Sequence, residues 1–330
     1  MRTVLACLLG LVVFVGSAPL LAQAPAAHAS GAAYSPPRTP WGDPDLQGTY
    51  TNADENGTPM ERPDDLAGRR LEEFGEREMA ALRAERQRRA QERARSIGGT
   101  QAEDTGAGPS HWYEHLVAEN AQPWLVFDPP SGQIPDLTAA ARERIAAQRT
   151  ARGARGEADS WEDRSLYDRC ISLGVPGSMT PMIYGNAYDL TQGPGFVAIR
   201  YEMVHETRII RLDDEPRIAS NIRPYMGDAR GHWEGDTLVV VTKNIHPLTT
   251  YRNASERLTI TERFIPVAAN RLRWEIRFDD PDTWAQPWAY GMPLKRDAEH
   301  APFEYACHEG NYGLRNILSA ARSEEAEAAK

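Results

Sequence analysis

The sequence predicts a mainly β protein with a helical N-terminal extension, in which an antiparallel meander forms a lipocalin-like barrel or a sandwich. Between Phe196 and Phe278, apolar and polar residues alternate with the period of two that is typical of half-buried strands. Between Asp64 and Ser96, the chain contains no proline and repeats apolar residues at helical spacing. Sequential antiparallel strands with one apolar face must pack on a second sheet or close into a barrel.

Composition excludes several functional classes. The chain has 330 residues, of which 25% are charged and 41% hydrophobic, so it can bury a core but is too polar for a multi-span membrane protein. Its 47 acidic and 37 basic residues give a net charge of -10, and we expect no nucleic-acid partner. Glycine-rich nucleotide motifs, GxSxG and HExxH are all absent from the sequence, which disfavours the corresponding chemistries.

Residues 1–29 have the order of a secretory signal peptide. Arg2 precedes the apolar run from Val4 to Val15, which is shorter than the roughly 20 residues of a transmembrane helix. Ala27-His28-Ala29 supplies small residues for cleavage after Ala29. We therefore expect a periplasmic or secreted protein whose mature chain has no transmembrane span.

Cleavage at that site would leave two cysteines, Cys170 and Cys307. An even pair in an oxidising compartment predicts a disulfide between them. Two buried, reduced cysteines are the alternative.

The first half of the mature chain is predicted to be an extension of the barrel. Residues 30–60 are rich in glycine, proline and alanine and indicate an extended arm over the surface, with Trp41 as its anchor. Residues 61–155 form a helical and linker region. It contains a helix from Asp64 to Ser96 that packs only through its first half, a linker at 97–109, and a second helix from Asp136 to Arg149.

Residues 156–330 are predicted to form the antiparallel barrel domain. The predicted strands are Phe196 to Leu212, Arg217 to Ile222, His232 to Ile245 with a turn at Glu234-Gly235-Asp236, Glu256 to Val267, and Arg271 to Phe278. In the last of these strands Leu272, Trp274 and Ile276 should face the core, while Arg271, Arg273 and Glu275 should face solvent.

Polar residues on the apolar faces of these strands are the catalytic candidates. Tyr201 and His205 alternate with apolar residues, so we expect both to project inward, where a histidine can act as an acid or base. A neutral core histidine bonded to the backbone is the alternative. Glu262 should also be buried, and must then raise its pKa, pair with an arginine, or face a wet cavity. The complete set of catalytic candidates is Tyr201, His205, Glu262, His308 and Glu309.

Candidate ligand-binding residues come from aromatic and amide side chains near the predicted barrel mouth. The loop at 174–188 gathers glycine, proline and aromatic residues, and loops on a rigid scaffold commonly carry binding residues. The candidates are Trp161, Tyr184, Asn186, Tyr188, His232 and Trp274. We expect no cofactor, and a metal held by converging His and Glu residues is the alternative.

Four motifs resemble those of a group of secreted bacterial proteins that have no assigned activity. They are TPWGDPDLQG at 39–48, WEDRSLYDRC at 161–170, HWEGDTL at 232–238 and YACHEGNYG at 305–313. The likeness covers nearly all of the mature chain. It implies a periplasmic setting and one continuous unit, and it carries over no activity.

Two functional hypotheses follow from these residues. The first is a periplasmic barrel enzyme without a cofactor, which carries out isomerisation, elimination or hydrolysis on an apolar or aromatic small molecule. His205 would be its acid or base, aided by Tyr201 and a carboxylate such as Glu262 or Glu309. The alternative is a non-catalytic periplasmic protein that binds a lipophilic ligand. The inward polar residues favour the enzyme, and the missing motifs favour the binding protein. The sequence indicates neither the substrate nor the oligomeric state.

Overall fold

The computed structural model describes residues 34–97 and 119–330. The predicted signal peptide and nearly all of the predicted linker at 97–109 lie outside these residues. The strands are β1 Gly48–Thr51, β2 Val126–Asp128, β3 Ala187–Gly193, β4 Phe196–Tyr201, β5 Thr207–Arg211, β6 Asp228–Glu234, β7 Thr237–Lys243, β8 Thr259–Ala268, β9 Arg271–Asp279 and β10 Trp288–Arg296. The helices are α1 Glu76–Ile97, α2 Ala139–Arg152 and α3 Gly313–Ala328.

The predicted barrel is confirmed, and the sheet closes on itself. Strand β1 pairs with β3 on one side and with β10 on the other, so the nine strands β1 and β3 to β10 form a closed ring. Strand β2 pairs with the first residues of β10, at Ala289 and Tyr290. The β5–β6 pair is parallel, through Arg211 and Arg230, and the other described pairs are antiparallel. Closure removes the exposed sheet edges on which strands of other chains could pair.

The two ends of the barrel differ in the connections they carry. At the hairpin end, two-residue turns join β3 to β4, β6 to β7 and β8 to β9. At the opposite end, which we call the loop end, β4, β7 and β9 finish and longer connections at 202–206, 244–258 and 280–287 begin. The chain from Cys170 to Asn186 also enters β3 at the loop end.

The inward face of β9 is the predicted one. Leu272, Trp274 and Ile276 are at most 2% exposed, whereas their neighbours Arg271, Arg273 and Glu275 are exposed or half-buried. The core continues as an aromatic stack, in which the rings of Phe278 and Trp288 lie 4.5 Å apart. Full burial of each such side chain contributes roughly 2–3 kcal/mol, so these rings are a main source of the stability of the barrel.

Four strands, β1, β2, β3 and β10, are missing from the sequence prediction, and one predicted strand is wrong. β3 and β10 are the longer two of these, and most of their positions are buried on both faces, so they lack the alternation that identifies a half-buried strand. The predicted strand Arg217 to Ile222 lies instead in the connection from β5 to β6. Because β5 and β6 are parallel, the chain must return to the loop end between them, and this segment makes that crossing.

The N-terminal part contributes to the barrel as well as to the helices. The predicted surface arm supplies β1, and its buried side chains include Leu46 and Tyr50, whereas Trp41 is exposed. The predicted helix from Asp64 begins as two short 3₁₀ turns, and α1 itself starts only at Glu76, after Gly68 and Gly75. Met79 in the first half of α1 is buried, whereas Arg88 and Arg89 are exposed.

The second predicted helix exists but begins later than expected. The N-cap of α2 is Thr138, whose hydroxyl oxygen accepts a hydrogen bond from the amide of Ala141. Asp136 therefore lies before the helix and does not cap it. Helix α3 was not among the predicted elements.

Candidate functional site

Strained backbone marks the loop end of the barrel. Within the described residues, six residues other than glycine have a positive φ: Cys170, Val204, His205, Asn244, Arg252 and Asn253. All six lie in connections at the loop end. Such conformations cost on the order of 1–3 kcal/mol each and are concentrated at active and binding sites. The loop end is therefore the first place to search for function.

A cavity of about 230 Å³, the loop-end cavity, is lined by Arg252, one of these strained residues. Its lining combines aliphatic, aromatic and hydroxyl side chains from two loops: Ser165, Leu166, Tyr167, Ser172, Leu173, Val175, Gly177, Leu248, Thr249, Thr250, Tyr251 and Arg252. The ring of Tyr251 stacks on Phe278 at 4.9 Å and on Trp288 at 6.2 Å. The wall of the cavity is thus continuous with the aromatic core.

A second cavity of about 190 Å³ lies at the hairpin end, between the N-terminal arm and the β8–β9 turn. Tyr50, Leu272 and Arg296 are among its lining residues. None of the six strained residues lines it. The loop-end cavity is therefore the stronger candidate.

The polar wall of the loop-end cavity leads to a half-buried carboxylate. Ser172 donates its hydroxyl to Glu206, whose two carboxylate oxygens lie 3.0 and 2.8 Å from Ser172 Oγ. The amide of Gly174 donates to the same Oγ at 2.9 Å. Burial raises the pKa of Glu206 above its ordinary value, although the Ser172 hydrogen bond acts in the opposite direction. A carboxyl with a raised pKa is suited to proton transfer near neutral pH.

Sequence reasoning missed this pair. The predicted continuous strand from Phe196 to Leu212 would put Glu206 on the face opposite to His205, and no pattern in the sequence singles out Ser172. The two residues are 34 positions apart and meet only because the loop before β3 folds against the β4–β5 turn. The one feature of the sequence that marks Glu206 as a candidate is its position directly after His205.

The prediction that His205 projects inward is wrong. Strand β4 ends at Tyr201, and a turn at Met203–His205 follows, in which Val204 has φ +62° and His205 φ +47°. His205 is exposed as a result. Its Nδ1 lies 2.7 Å from the carbonyl oxygen of Tyr305. Because a carbonyl can only accept, this contact places the proton on Nδ1 and leaves Nε2 as the basic nitrogen. The catalytic role of His205 remains a prediction.

The same turn reverses which residues of the next strand face the core. In β5, Arg208 is 2% exposed and Ile209 is 53% exposed, the opposite of what an uninterrupted strand requires. Arg208 Nη2 lies 2.5 Å from Glu262 Oε2 and donates to Thr242 Oγ1 at 2.6 Å. Of the three outcomes expected for Glu262, pairing with an arginine is therefore the one observed.

Tyr201, Glu262 and Trp274 form part of this interior network. All three are at most 1% exposed, and Trp274 Nε1 donates to Glu262 Oε1 at 3.2 Å. Burial raises the pKa of Tyr201 to about 12. These three residues are buried inside the barrel, whereas His205 and His308 are exposed, and none of the five lines the loop-end cavity. The sequence-predicted catalytic residues do not meet in one cavity.

The disulfide between Cys170 and Cys307 is confirmed, and it brings the C-terminal segment to the loop end. Beside it, the Tyr184 hydroxyl lies 3.3 Å from the hydroxyls of Tyr167 and Tyr305. Burial raises the pKa of Tyr167 and of Tyr305. His308 and Glu309 follow Cys307 on this tethered segment and are both exposed.

The remaining ligand-binding candidates are dispersed. Trp161 is 51% exposed and stacks under the Arg169 guanidinium at 4.5 Å. Asn186 is buried, with hydrogen bonds to both backbone groups of Met182, and Tyr188 is buried against Tyr201. His232 lies on β6, towards the hairpin end, and its Nε2 is 3.2 Å from Glu234.

Residues 34–97 and 119–330 contain no group of three His, Cys, Asp or Glu side chains placed to hold a metal ion. In the same described part of the chain, no helix combines the length and the apolar character needed to cross a membrane. Neither a scan against protein-family models nor a search of the curated proteins found a match to this chain.

Proposed function

We propose that this protein is a periplasmic barrel that binds a small apolar or aromatic molecule in the loop-end cavity. The observation that carries the proposal is a cavity with aliphatic and aromatic walls, bordered by strained backbone. An apolar cavity of about 150 Å³ can hold benzene, so about 230 Å³ is room for one ring with a short substituent. The predicted signal peptide and the Cys170–Cys307 disulfide support a periplasmic setting.

Calorimetry with indole on the mature protein tests this proposal. Leu248 lines the cavity and is 64% exposed, so Leu248→Ala should preserve the fold while removing apolar contact with the ligand. We expect affinity to fall roughly fivefold, which corresponds to losing about 1 kcal/mol of buried apolar surface. Ile222→Ala is the matched control, because Ile222 is 55% exposed and does not line the cavity. Equal losses in the two variants, or no binding to the wild type, would refute the proposal.

A second candidate function is acid/base catalysis without a cofactor on the same class of molecule. It is favoured by Glu206, whose carboxylate bonds the cavity-lining Ser172 and whose pKa is raised, and by the adjacent His205 with its basic Nε2. Isomerisation, elimination and hydrolysis are the reactions that such groups support.

The two functions differ in what a variant loses. In an enzyme, His205→Gln or Glu206→Gln should lower turnover of a substrate by roughly 10²–10⁴-fold while the dissociation constant changes little. Turnover that is unchanged in both variants would contradict catalysis by these residues and leave ligand binding as the supported function.

A further inference from the structure

We infer that the ligand of the loop-end cavity is an anion, namely a small apolar or aromatic carboxylate whose charged group pairs with Arg252. This inference rests on the proposed binding function and specifies the chemical class of its ligand. Arg252 is the one charged residue among the described residues that line the cavity. The other lining side chains are apolar, aromatic or hydroxyl-bearing. An apolar chamber with a single cation at its opening matches an amphipathic anion.

Arg252 is available for such a partner. Its side chain is exposed, and its guanidinium carbon lies 5.6 Å from the ring centroid of Tyr251. No carboxylate in the described part of the chain forms an ion pair with it, whereas Arg223 pairs with Glu256 and Arg257 with Asp282 nearby. Arginine binds carboxylates through short, charge-assisted hydrogen bonds, which the ligand body would partly shield from water.

The backbone holds Arg252 at the opening of the cavity at an energetic cost. Arg252 and Asn253 are consecutive residues in the left-handed region, with φ +51° and +59°. Asparagine adopts this conformation readily, but a long side chain such as arginine does so rarely. The turn is anchored by Arg144, which donates to the Asn253 carbonyl at 3.1 Å, and by the Ala254 amide, which donates to Tyr251 O. A strained arginine that no internal ion pair requires points to a role in binding.

The carboxyl group of Glu206, close to this site, already has a partner. Glu206 is not among the lining residues, and Ser172 presents its hydroxyl to both Glu206 oxygens. The Ser172 side chain therefore lies between that carboxyl and the cavity. Within the cavity itself, an anion meets Arg252 and no lining carboxylate among the described residues.

The test compares 3-phenylpropionate with its neutral analogue 3-phenylpropionamide, by calorimetry at pH 7 and low salt. We expect the wild type to bind the carboxylate roughly tenfold more tightly than the amide, since one charge-assisted pair is formed only with the anion. Arg252→Gln should abolish this preference, and Arg252→Lys should restore part of it. Salt should weaken binding of the carboxylate alone.

Two further variants make the result decisive. Arg252→Asn removes the charge and suits the positive φ, so it should lose carboxylate affinity while its thermal midpoint rises, which unfolding cannot mimic. Arg271→Gln, an exposed arginine at the far end of the β8–β9 hairpin roughly 30 Å away, should bind both probes as the wild type does.

The outcomes separate this inference from the proposed function. Equal binding of the two probes, or a preference that survives in Arg252→Gln, overturns the anionic ligand and leaves the cavity as a binding site for neutral molecules. Failure of both probes and of indole to bind overturns the proposed function, and the inference with it.

Discussion

At the residue scale, the buried pair of Arg208 and Glu262 organises the barrel interior. Their side chains are 1% and 0% exposed. Burial is the largest single influence on the pKa of Arg208 and lowers it, but Glu262 and Tyr201 together raise it above its usual value, so the guanidinium stays charged. Thr242 accepts from Arg208 Nη2 and Trp274 donates to Glu262 Oε1, which offsets part of the large cost of desolvating two charges. Such a pair contributes to a unique arrangement of the core more than to net stability.

Breaking this pair should strongly destabilise the folded protein. We expect Glu262→Gln to lower the free energy of unfolding by about 3–5 kcal/mol, because it leaves a buried, uncompensated cation. The double variant Arg208→Met, Glu262→Leu should lose less free energy of unfolding than Arg208→Met and Glu262→Leu lose when their separate losses are added, since no charge remains in the core. Urea denaturation of all four proteins measures this coupling. Strict additivity would contradict it.

Glu55 makes the stability of the protein depend on pH, in the direction opposite to that of a salt-bridged carboxylate. It is 1% exposed, accepts from the amide of Ala121 at 2.7 Å and from the Thr58 hydroxyl at 2.9 Å, and has Arg86 and Asp54 as charged neighbours. Burial raises its pKa from 4.5 to about 7. The folded protein therefore keeps this proton at pH values where the unfolded chain has released it.

Stability should consequently fall as the pH rises from about 4.5 to about 7, and stay lower above that window. Glu55→Gln keeps the acceptor oxygen without the charge. We expect it to match the wild type at pH 4 and to exceed its free energy of unfolding by about 3 kcal/mol at pH 8. Urea denaturation at the two pH values measures the difference. The exposed Glu299→Gln is the control, and a gain that does not depend on pH would contradict the assignment.

At the scale of the element, helix α1 docks through its first half. Met79 is buried, Arg83 donates to the Asn120 carbonyl at 3.4 Å, and Arg86 donates to that of Gln122 at 3.2 Å. These bonds satisfy carbonyls just before β2, which an apolar side chain could not do. Farther along, the exposed Arg88 pairs with Glu85 and with Glu92.

Substitution of Arg86 should therefore affect stability more than substitution of Arg88, although both lie on α1. We expect Arg86→Ala to lower the free energy of unfolding by about 1–2 kcal/mol and to speed hydrogen exchange at residues 120–125, because buried carbonyls lose charged donors. Arg88→Ala should change neither measurement, since exposed ion pairs contribute little. Equal effects would show that α1 packs along its whole length.

At the scale of the whole molecule, the C-terminal segment runs from the hairpin end back to the loop end. It leaves β10 at Arg296, where the Asp297 amide donates to Thr49 O. His300 then contacts the buried Glu202 at 3.0 Å, and the disulfide fixes the segment to Cys170. The segment thereby joins the barrel wall to the loops that build the loop-end cavity.

Removing the disulfide should loosen this end first. Cys170 and Cys307 are 137 residues apart, and chain entropy sets an upper bound of about 5 kcal/mol on the stabilisation. We expect the double variant Cys170→Ser, Cys307→Ser to approach that loss in urea and to exchange amides faster at 297–312 than in β7 to β9. Unchanged exchange in the segment would mean that the non-covalent contacts alone hold it. Reduced wild-type protein should behave like the variant.

Much of the fold could be predicted because it depends on local periods and simple counts. The alternation along Leu272, Trp274 and Ile276 set the inward face of β9, since a shift by one residue would exchange core and solvent faces. An even pair of cysteines was enough to predict the disulfide. β10 escaped prediction because Gly291 and Pro293 disfavour a strand and its positions are buried on both sides.

By itself, then, the sequence determined the class of fold, the register of the β8–β9 hairpin and the cysteine pairing, all of which follow from neighbouring residues or from composition. Tertiary structure decided the site. A positive φ at Val204 and His205 turned the histidine outward and Arg208 inward, and no periodicity reports a change in one dihedral angle. Closure between β1 and β10 placed distant loops at one end of the barrel. Only then could Ser172 bond Glu206, and only then could Leu166 and Tyr251 line the same cavity. Such contacts depend on the closed path of the whole chain, which residue types at fixed spacing do not encode.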